Sequence, residues 1–412
     1  MRRLTASNKS EFDLFHLIDR LKKSATTLVS QIDAVAWGRT DAADSKFAAE
    51  KSGDKRVRFV ELDGPKEKRA GASPDRIVIF RLGSLGDTVV ALPCFHKLAQ
   101  VFPDAERIVL TNNPVSSKAA PLEAVLDGSG LIDGVIAYPV NMRSIAQLWR
   151  LRSQLLALNA STLVFLQPRG LWSTCRDQIF FRMCGFQRII GGPLRFDTRK
   201  GIFDETTGER EYECERLARS IAEVGEIDLK DSANWDLRLA EHELAVGAET
   251  ILAFEDRPFV GINMGGKVAG KHWGDDNWSA LFANLATTHG GYGLLIVGVA
   301  EDAACVDAVT QSWPGRVVNA CGRLAPRESA AALSRASLFV GHDSGPMHLA
   351  AACGVTCVAP FGGNNLPHTW HPYGSRHRIV HNVEGVRAIT VGEIAGKVRE
   401  CLPASKPIQI KS

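Results

Sequence analysis

The 412-residue chain is 45% hydrophobic and 23% charged, with 37 Gly, 18 Pro and a net charge of +3. One hydrophobic core stops growing at roughly 250 to 300 residues, so two domains are expected, and the composition excludes a fibre or a wholly disordered chain. Positions 1–73 hold 15 Lys+Arg against 11 Asp+Glu and the remainder 34 against 35, which excludes a strongly basic body of the nucleic-acid-binding kind. Nine cysteines are scattered with no CxxC pair, the usage of reduced, packed thiols in a cytoplasmic protein. Lys9, Glu11, Asp13 and Asp19 interrupt the start where a signal peptide would be apolar, and no run of about 18 apolar residues could span a membrane.

Leu14, Leu17, Ile18, Leu21, Ala25, Leu28 and Ile32 recur at helical spacing, which predicts an amphipathic helix over residues 10–37. Its stripe suits the protein body, a second subunit or a membrane surface, so oligomerisation and peripheral membrane attachment both stay open. Residues 38–75 are polar and small, with Gly64-Pro65 and Lys66-Glu67-Lys68-Arg69, the pattern of an irregular linker.

Beyond Pro74, short β-branched runs alternate with helices. RIVIFR (76–81), RIVLT (107–111), 135–138 and TLVFL (162–166) form a first set. FVGINM (259–264), YGLLIV (292–297), SLFVG (337–341) and VTCVAPF (355–361) form a second. Such alternation predicts parallel sheets covered by helices. The expected fold is α/β, with two facing Rossmann-like domains and a ligand cleft at the carboxyl ends of their strands. The predicted divisions are an extension at 1–73, a first Rossmann-like domain at 74–238, a second at 239–390, and a final helix and tail at 391–412, the helix packing back across the junction.

Three loops carry candidate chemistry. Arg81-Leu82-Gly83-Ser84-Leu85-Gly86-Asp87 joins a strand to an apolar helix; it is neither GxGxxG nor a P-loop, and Asp87 reads as a helix cap or as a reactive carboxylate. Gly341-His342-Asp343-Ser344-Gly345-Pro346-Met347-His348 opens a second helix, whose free N–H groups and dipole suit a phosphate, although Asp343 and Ser344 could simply cap it. Asn263-Met264-Gly265-Gly266-Lys267-Val268-Ala269-Gly270-Lys271-His272-Trp273 is a glycine loop with two lysines, suited to neutralising a diphosphate or merely solvated. Glu301, after a strand, could accept from a ribose hydroxyl or start a helix. Arg169 and Arg176 belong to a series of arginines that suits an anionic ligand or is merely solvated or structural. His368, His371, His377 and His381 lack the spacing of a metal site, and none is expected.

The three loops in this order resemble those of the ADP-heptose:lipopolysaccharide heptosyltransferases, glycosyltransferase family 9, over roughly residues 75–402. The matching segments are Gly83 to Asp87, Gly265 to Trp273, and Asp343 to Leu349. The resemblance implies the two-domain GT-B fold and metal-independent, inverting transfer of a heptose or related sugar from an ADP-sugar to a lipopolysaccharide-core acceptor. It makes Asp87 the general base. It gives the donor to Gly265, Gly266, Lys271, Glu301, Asp343, Ser344, Gly345 and His348, and the acceptor to Gly83, Ser84, Arg169 and Arg176. No cofactor beyond the nucleotide-sugar substrate is implied, and the setting is the cytoplasmic face of the inner membrane. A sugar-nucleotide epimerase and a non-catalytic sugar-nucleotide-binding protein remain as alternatives.

Overall fold

The computed structural model describes residues 58–59, 75–112, 120–139, 144–167, 169–192, 201–266 and 268–405. The chain divides into compact units Met1–Gly53 and Asp54–Ser412; the helix expected at 10–37 belongs to the first and lies outside the described residues.

The described residues of the second unit form two six-stranded parallel sheets and one small hairpin. The first sheet comprises β1 (Arg58–Phe59), β2 (Arg76–Phe80), β3 (Glu106–Asn112), β4 (Gly134–Tyr138), β5 (Thr162–Phe165) and β6 (Arg188–Gly191), in the order β1-β4-β3-β2-β5-β6. A hairpin, β7 (Phe203–Asp204) and β8 (Glu209–Arg210), separates it from the second sheet. That sheet comprises β9 (Phe259–Asn263), β10 (Gly293–Ile296), β11 (Val317–Asn319), β12 (Leu338–Gly341), β13 (Cys357–Gly362) and β14 (Arg378–Asn382), ordered β11-β10-β9-β12-β13-β14. Strand order reverses at β2 in the first sheet and at β9 in the second. Crevices that take ligands form at such reversals, beyond the carboxyl ends of the strands.

Among the described residues, the helices of the first half are α1 (Leu85–Val90), α2 (Leu92–Val101), α3 (Glu123–Leu126), α4 (Ile145–Ala157), α5 (Leu171–Met183) and α6 (Glu213–Ser220). Those of the second are α7 (Glu241–Ile251), α8 (Asp275–His289), α9 (Val306–Val309), α10 (Pro326–Leu333), α11 (Gly345–Ala352) and α12 (Val391–Cys401). Period-two alternation distributes each strand between two cores. Ile77 and Ile79 join Val89, Phe95 and Leu217 on one face, whereas Val78 and Phe80 join Leu151, Leu155 and Phe181 on the other. Likewise Val260, Leu294 and Val340 face Trp278, while Leu295 and Phe339 face Met347 and Leu333.

Two readings of the extremities are corrected. The supposed linker supplies β1, which pairs in parallel with β4 at Arg58↔Gly134 and Phe59↔Val135; two residues are too short a signal to stand out in a polar stretch. The final helix buries Ile394, Ala395 and Val398 in the core containing Trp278 and Leu285 of α8, so its apolar stripe is used by the second half and not by a return across the junction.

The two halves meet along a shared apolar seam, where Ala330 and Leu349 of the second half enter the core of the first. Arg327 of α10 fastens it. Its guanidinium pairs with both oxygens of Glu243 (2.6 and 2.9 Å) and donates to the carbonyls of Val125 (2.7 Å), Leu237 (2.8 Å) and Arg238 (2.8 Å). A buried cation is tolerated only with such complete partnering, and loss of one partner strands the other. Arg327→Ala is therefore expected to cost about 3–5 kcal/mol in urea unfolding, with part of it regained in an Arg327→Met, Glu243→Leu double variant. A loss within experimental error in the single variant would contradict this role.

Candidate active site

The loop after β2 is held from three sides. Arg81, 1% exposed, donates to Leu166 O at 2.9 Å and to Asp87 O at 2.7 Å. The Leu82 N–H donates to Gln167 Oε1 and the Gly83 N–H to Asn112 Oδ1, both at 2.7 Å. The ends of β5 and β3 thereby clamp the end of β2. Gly83 has φ +152°, and a Cβ there would stand 2.4 Å from Asp87 Cβ, so the turn admits Asp87 only because this residue lacks a side chain.

Asp87 does not occupy the helix cap. Ser84 does, and Asp87, at the third helical position, accepts from the Ser84 N–H (2.8 Å) and Oγ–H (3.1 Å) through Oδ2. This is the returning half of a capping box. It engages one carboxylate oxygen; Oδ1 has no hydrogen bond among the described residues.

Across the seam, loops following β9, β12 and β13 converge. Asp343 Oδ2 pairs with Lys271 Nζ at 2.5 Å and accepts from Asn365 Nδ2 at 2.5 Å. Ser344, at the cap position of α11, makes no side-chain cap; its hydroxyl donates to Asn263 Oδ1 at 2.7 Å, and Asn263 Nδ2 donates to Val297 O at 2.9 Å. The simple capping reading of Asp343 and Ser344 is thus displaced. With both side chains engaged elsewhere, the first N–H groups of α11 keep their capacity for an anion.

His342 and His348 lie beneath these loops, both buried. His342 Nε2 accepts from the Trp273 N–H at 3.0 Å, which assigns the proton to Nδ1, 3.3 Å from Gly265 O. Burial pushes its pKa down to about 4, so it stays neutral and anchors both ends of the Gly265–Trp273 loop. Burial also lowers the pKa of His348, while the carboxylates of Asp343 and Asp87 act in the opposite direction. One imidazole therefore senses carboxylates from both halves.

The reason is the crossing of α1 and α11. A Cβ on Gly86 would lie 3.1 Å from His348 Cδ2, and one on Gly345 would lie 2.6 Å from Leu85 Cδ2. Glycine on each helix permits this approach.

Other candidates stand apart. Arg169 lies over the rings of Phe80 (5.4 Å) and Tyr138 (5.6 Å) and pairs with Asp177 at 3.2 Å; Arg176 holds the other Asp177 oxygen at 2.8 Å. Both arginines thus have internal partners, although most of the Arg176 side chain remains exposed. Gly266 is exposed in the lysine loop, and Glu301 is exposed in the short 3₁₀ helix Ala300–Cys305 with no bond among the described residues. His371 Nε2 and His381 Nδ1 lie 2.9 Å apart, yet among the described residues no group of three or more His, Cys, Asp or Glu is placed to hold a metal. Asn263, Asn365, His342 and Arg81 complete the site without having been singled out from the sequence. His342 and Asn263 stood inside motifs as flanking letters; Asn365 lay in a β13 loop with no motif at all.

Residues 211–392 match the family model described as glycosyltransferase family 9 (heptosyltransferase). This segment, less than half of the chain, is similar to glycosyltransferase family 9. The lipooligosaccharide heptosyltransferase 2 of Haemophilus influenzae is 28% identical over 155 residues, covering 35% of this chain and 44% of that protein. The match thus spans less than half the length of that curated relative. A family 9 glycosyl transferase from Veillonella parvula superposes with a TM-score of 0.61 at 19% identity, over 79% of this chain and 97% of its own. The Escherichia coli heptosyltransferase WaaC with ADP-2-deoxy-2-fluoro heptose gives 0.55 at 16% identity, over 79% and 99%. These likenesses establish the GT-B fold of two facing Rossmann-like domains. The family 9 match contains Lys271, Asp343 and His348; Asp87 lies outside it.

Because the folded chain binds a proton at His342 less readily than an unfolded histidine of pKa 6.5, protonation favours unfolding. Stability should be complete above about pH 6.5 and fall as pH drops toward about 4. His371, pushed down to about 3, and His377, pushed down to about 4 by burial, act in the same direction. His342→Gln should flatten this acid-side loss in unfolding curves taken across the window. An unchanged slope in that variant would remove His342 from the account.

Proposed function

We propose that this chain is an inverting glycosyltransferase that moves a heptose or related sugar from an ADP-sugar to a lipopolysaccharide-core acceptor. The observation carrying the proposal is the α1–α11 crossing, which brings Asp87 and the Lys271–Asp343 pair around one buried histidine. A carboxylate with one free oxygen on one side, and an ammonium beside a helix N-terminus on the other, are the groups that nucleophilic displacement of a nucleoside diphosphate needs. The family match of the second half and the ADP-sugar bound by WaaC support the choice of donor.

In this mechanism an acceptor hydroxyl attacks the anomeric carbon from the face opposite the diphosphate. Asp87 Oδ1 takes the hydroxyl proton as the new C–O bond forms. The bond to the diphosphate oxygen breaks with its electron pair, and configuration inverts. Lys271 and the N–H groups opening α11 receive the charge that develops on the departing diphosphate. Gly265 and Gly266 let the loop close on it, Asp343 and His348 orient the donor sugar, and Glu301 takes a ribose hydroxyl. Gly83 and Ser84 shape the acceptor's approach, with Arg169 and Arg176 at the acceptor side. The proposal routes no step through a metal or cofactor.

Asp87→Asn keeps the size and the acceptor for the Ser84 N–H but removes the base. Turnover at saturating donor should fall by about two to four decades, with donor affinity and melting temperature near wild type. Near-normal turnover would leave Asp87 with its capping role alone. Lys271→Ala and Asp343→Ala should each weaken donor binding by about one to two decades in calorimetry, since a charge-assisted contact is lost; unchanged affinity in both would remove them from the donor site. Titration with ADP, UDP and GDP separates the bases, and donor turnover without acceptor would indicate epimerisation instead.

A further inference from the structure

Helices α4 and α5 lie side by side on one face of the first sheet. Leu151, Leu155 and Phe181 hold them to it, and Arg152 Nε of α4 donates to Met183 O of α5 at 3.2 Å. Each helix follows the carboxyl end of a strand, β4 or β5, so both begin at the sheet edge that carries the Asp87 loop. Their outward surfaces are unusual for helices with a used apolar stripe, which normally turn polar groups to solvent. Trp172 is 75% exposed and Ile145 66%, and Leu148, Leu171, Ile179 and Met183 are exposed with them.

The charge pattern is equally one-sided. From Pro139 to Arg195 the chain has eight arginines, no lysine and a single acid, Asp177. That acid is buried, 3% exposed, and is held by Arg169 and Arg176. Arg150, Arg176 and Arg182 are exposed beside the apolar residues, and Arg152 is half-buried over the Trp149 ring. Arg188 is met by Glu223 from a neighbouring element. Helices α4 and α5 themselves offer no exposed carboxylate.

We propose that the outer surfaces of α4 and α5 dock on an anionic phospholipid bilayer, with Ile145 and Trp172 entering the headgroup layer and Arg150 and Arg182 binding lipid phosphates. Charge complementarity selects this occupant, because the whole face is cationic and apolar together. Tryptophan and arginine are the side chains that settle at a bilayer's polar boundary, one by its amphipathic ring and the other by phosphate pairing. The inference goes beyond the transfer reaction and does not depend on it. It gives the first sheet an orientation, since docking there sets the Asp87 edge beside the membrane.

The test is co-sedimentation of the full chain with phosphatidylcholine vesicles, with and without phosphatidylglycerol, at two salt concentrations. Binding should require phosphatidylglycerol and weaken as salt rises. Arg150→Glu should reduce it by at least about fivefold, and Trp172→Ser by on the order of tenfold. Leu252→Ser, at a 72% exposed apolar position of the second half, should leave it unchanged. Equal binding to both vesicles, unchanged binding in Arg150→Glu and Trp172→Ser, or an equal loss in Leu252→Ser would overturn the proposal. So would a concentration-dependent dimer abolished by Trp172→Ser, which would assign the face to a second copy of the chain.

Discussion

The site depends on a close crossing of two helix starts. Helix α1 presents Leu85 and Gly86, α11 presents Gly345 and His348, and each glycine admits the other helix's side chain. A larger residue at either point would force the helices apart, because packed interiors have no slack to absorb a methyl group at these separations. The crossing joins the strand-order reversal of the first sheet, at β2, to that of the second, at β9. Two Rossmann-like halves thus contribute to one composite site.

Buried polar groups make the loops around that cleft rigid. Arg81 ties the Asp87 carbonyl to the end of β5, and neutral His342 ties Trp273 to Gly265. Asn365 and Lys271 converge on one oxygen of Asp343. Polar networks in low dielectric are costly when half-made and specific when complete. Arg327 has the same character away from the chemistry, drawing carbonyls from Val125, Leu237 and Arg238 around one guanidinium. Here such groups set loop geometry, while the strand-alternated cores carry the burial of apolar surface.

Much of the fold was legible because long β-branched runs alternate with helices at regular spacing. Strands of that kind, such as Arg76–Phe80 and Phe259–Asn263, declared themselves. Edge strands did not: Arg58–Phe59 is two residues long, and Arg378–Asn382 contains two charged or titratable side chains and only partial burial. Local spacing located Asp87 near a helix start but could not separate the first helical turn from its cap, a difference settled by Ser84. Spacing also missed Asn365, 22 positions from Asp343, because pairing across adjacent parallel strands leaves no local signature. The arginines at 169 and 176 were visible as a series, whereas their shared carboxylate became evident only in three dimensions.

The most direct test is a crystal structure of the full chain with an unreactive ADP-sugar analogue. The account predicts the diphosphate against Lys271 and the first N–H groups of α11, with the anomeric carbon facing Asp87 across a gap sized for one hydroxyl, whose oxygen would sit about 3–3.5 Å from that carbon. A diphosphate bound away from α11, or an anomeric carbon turned away from Asp87, would contradict it.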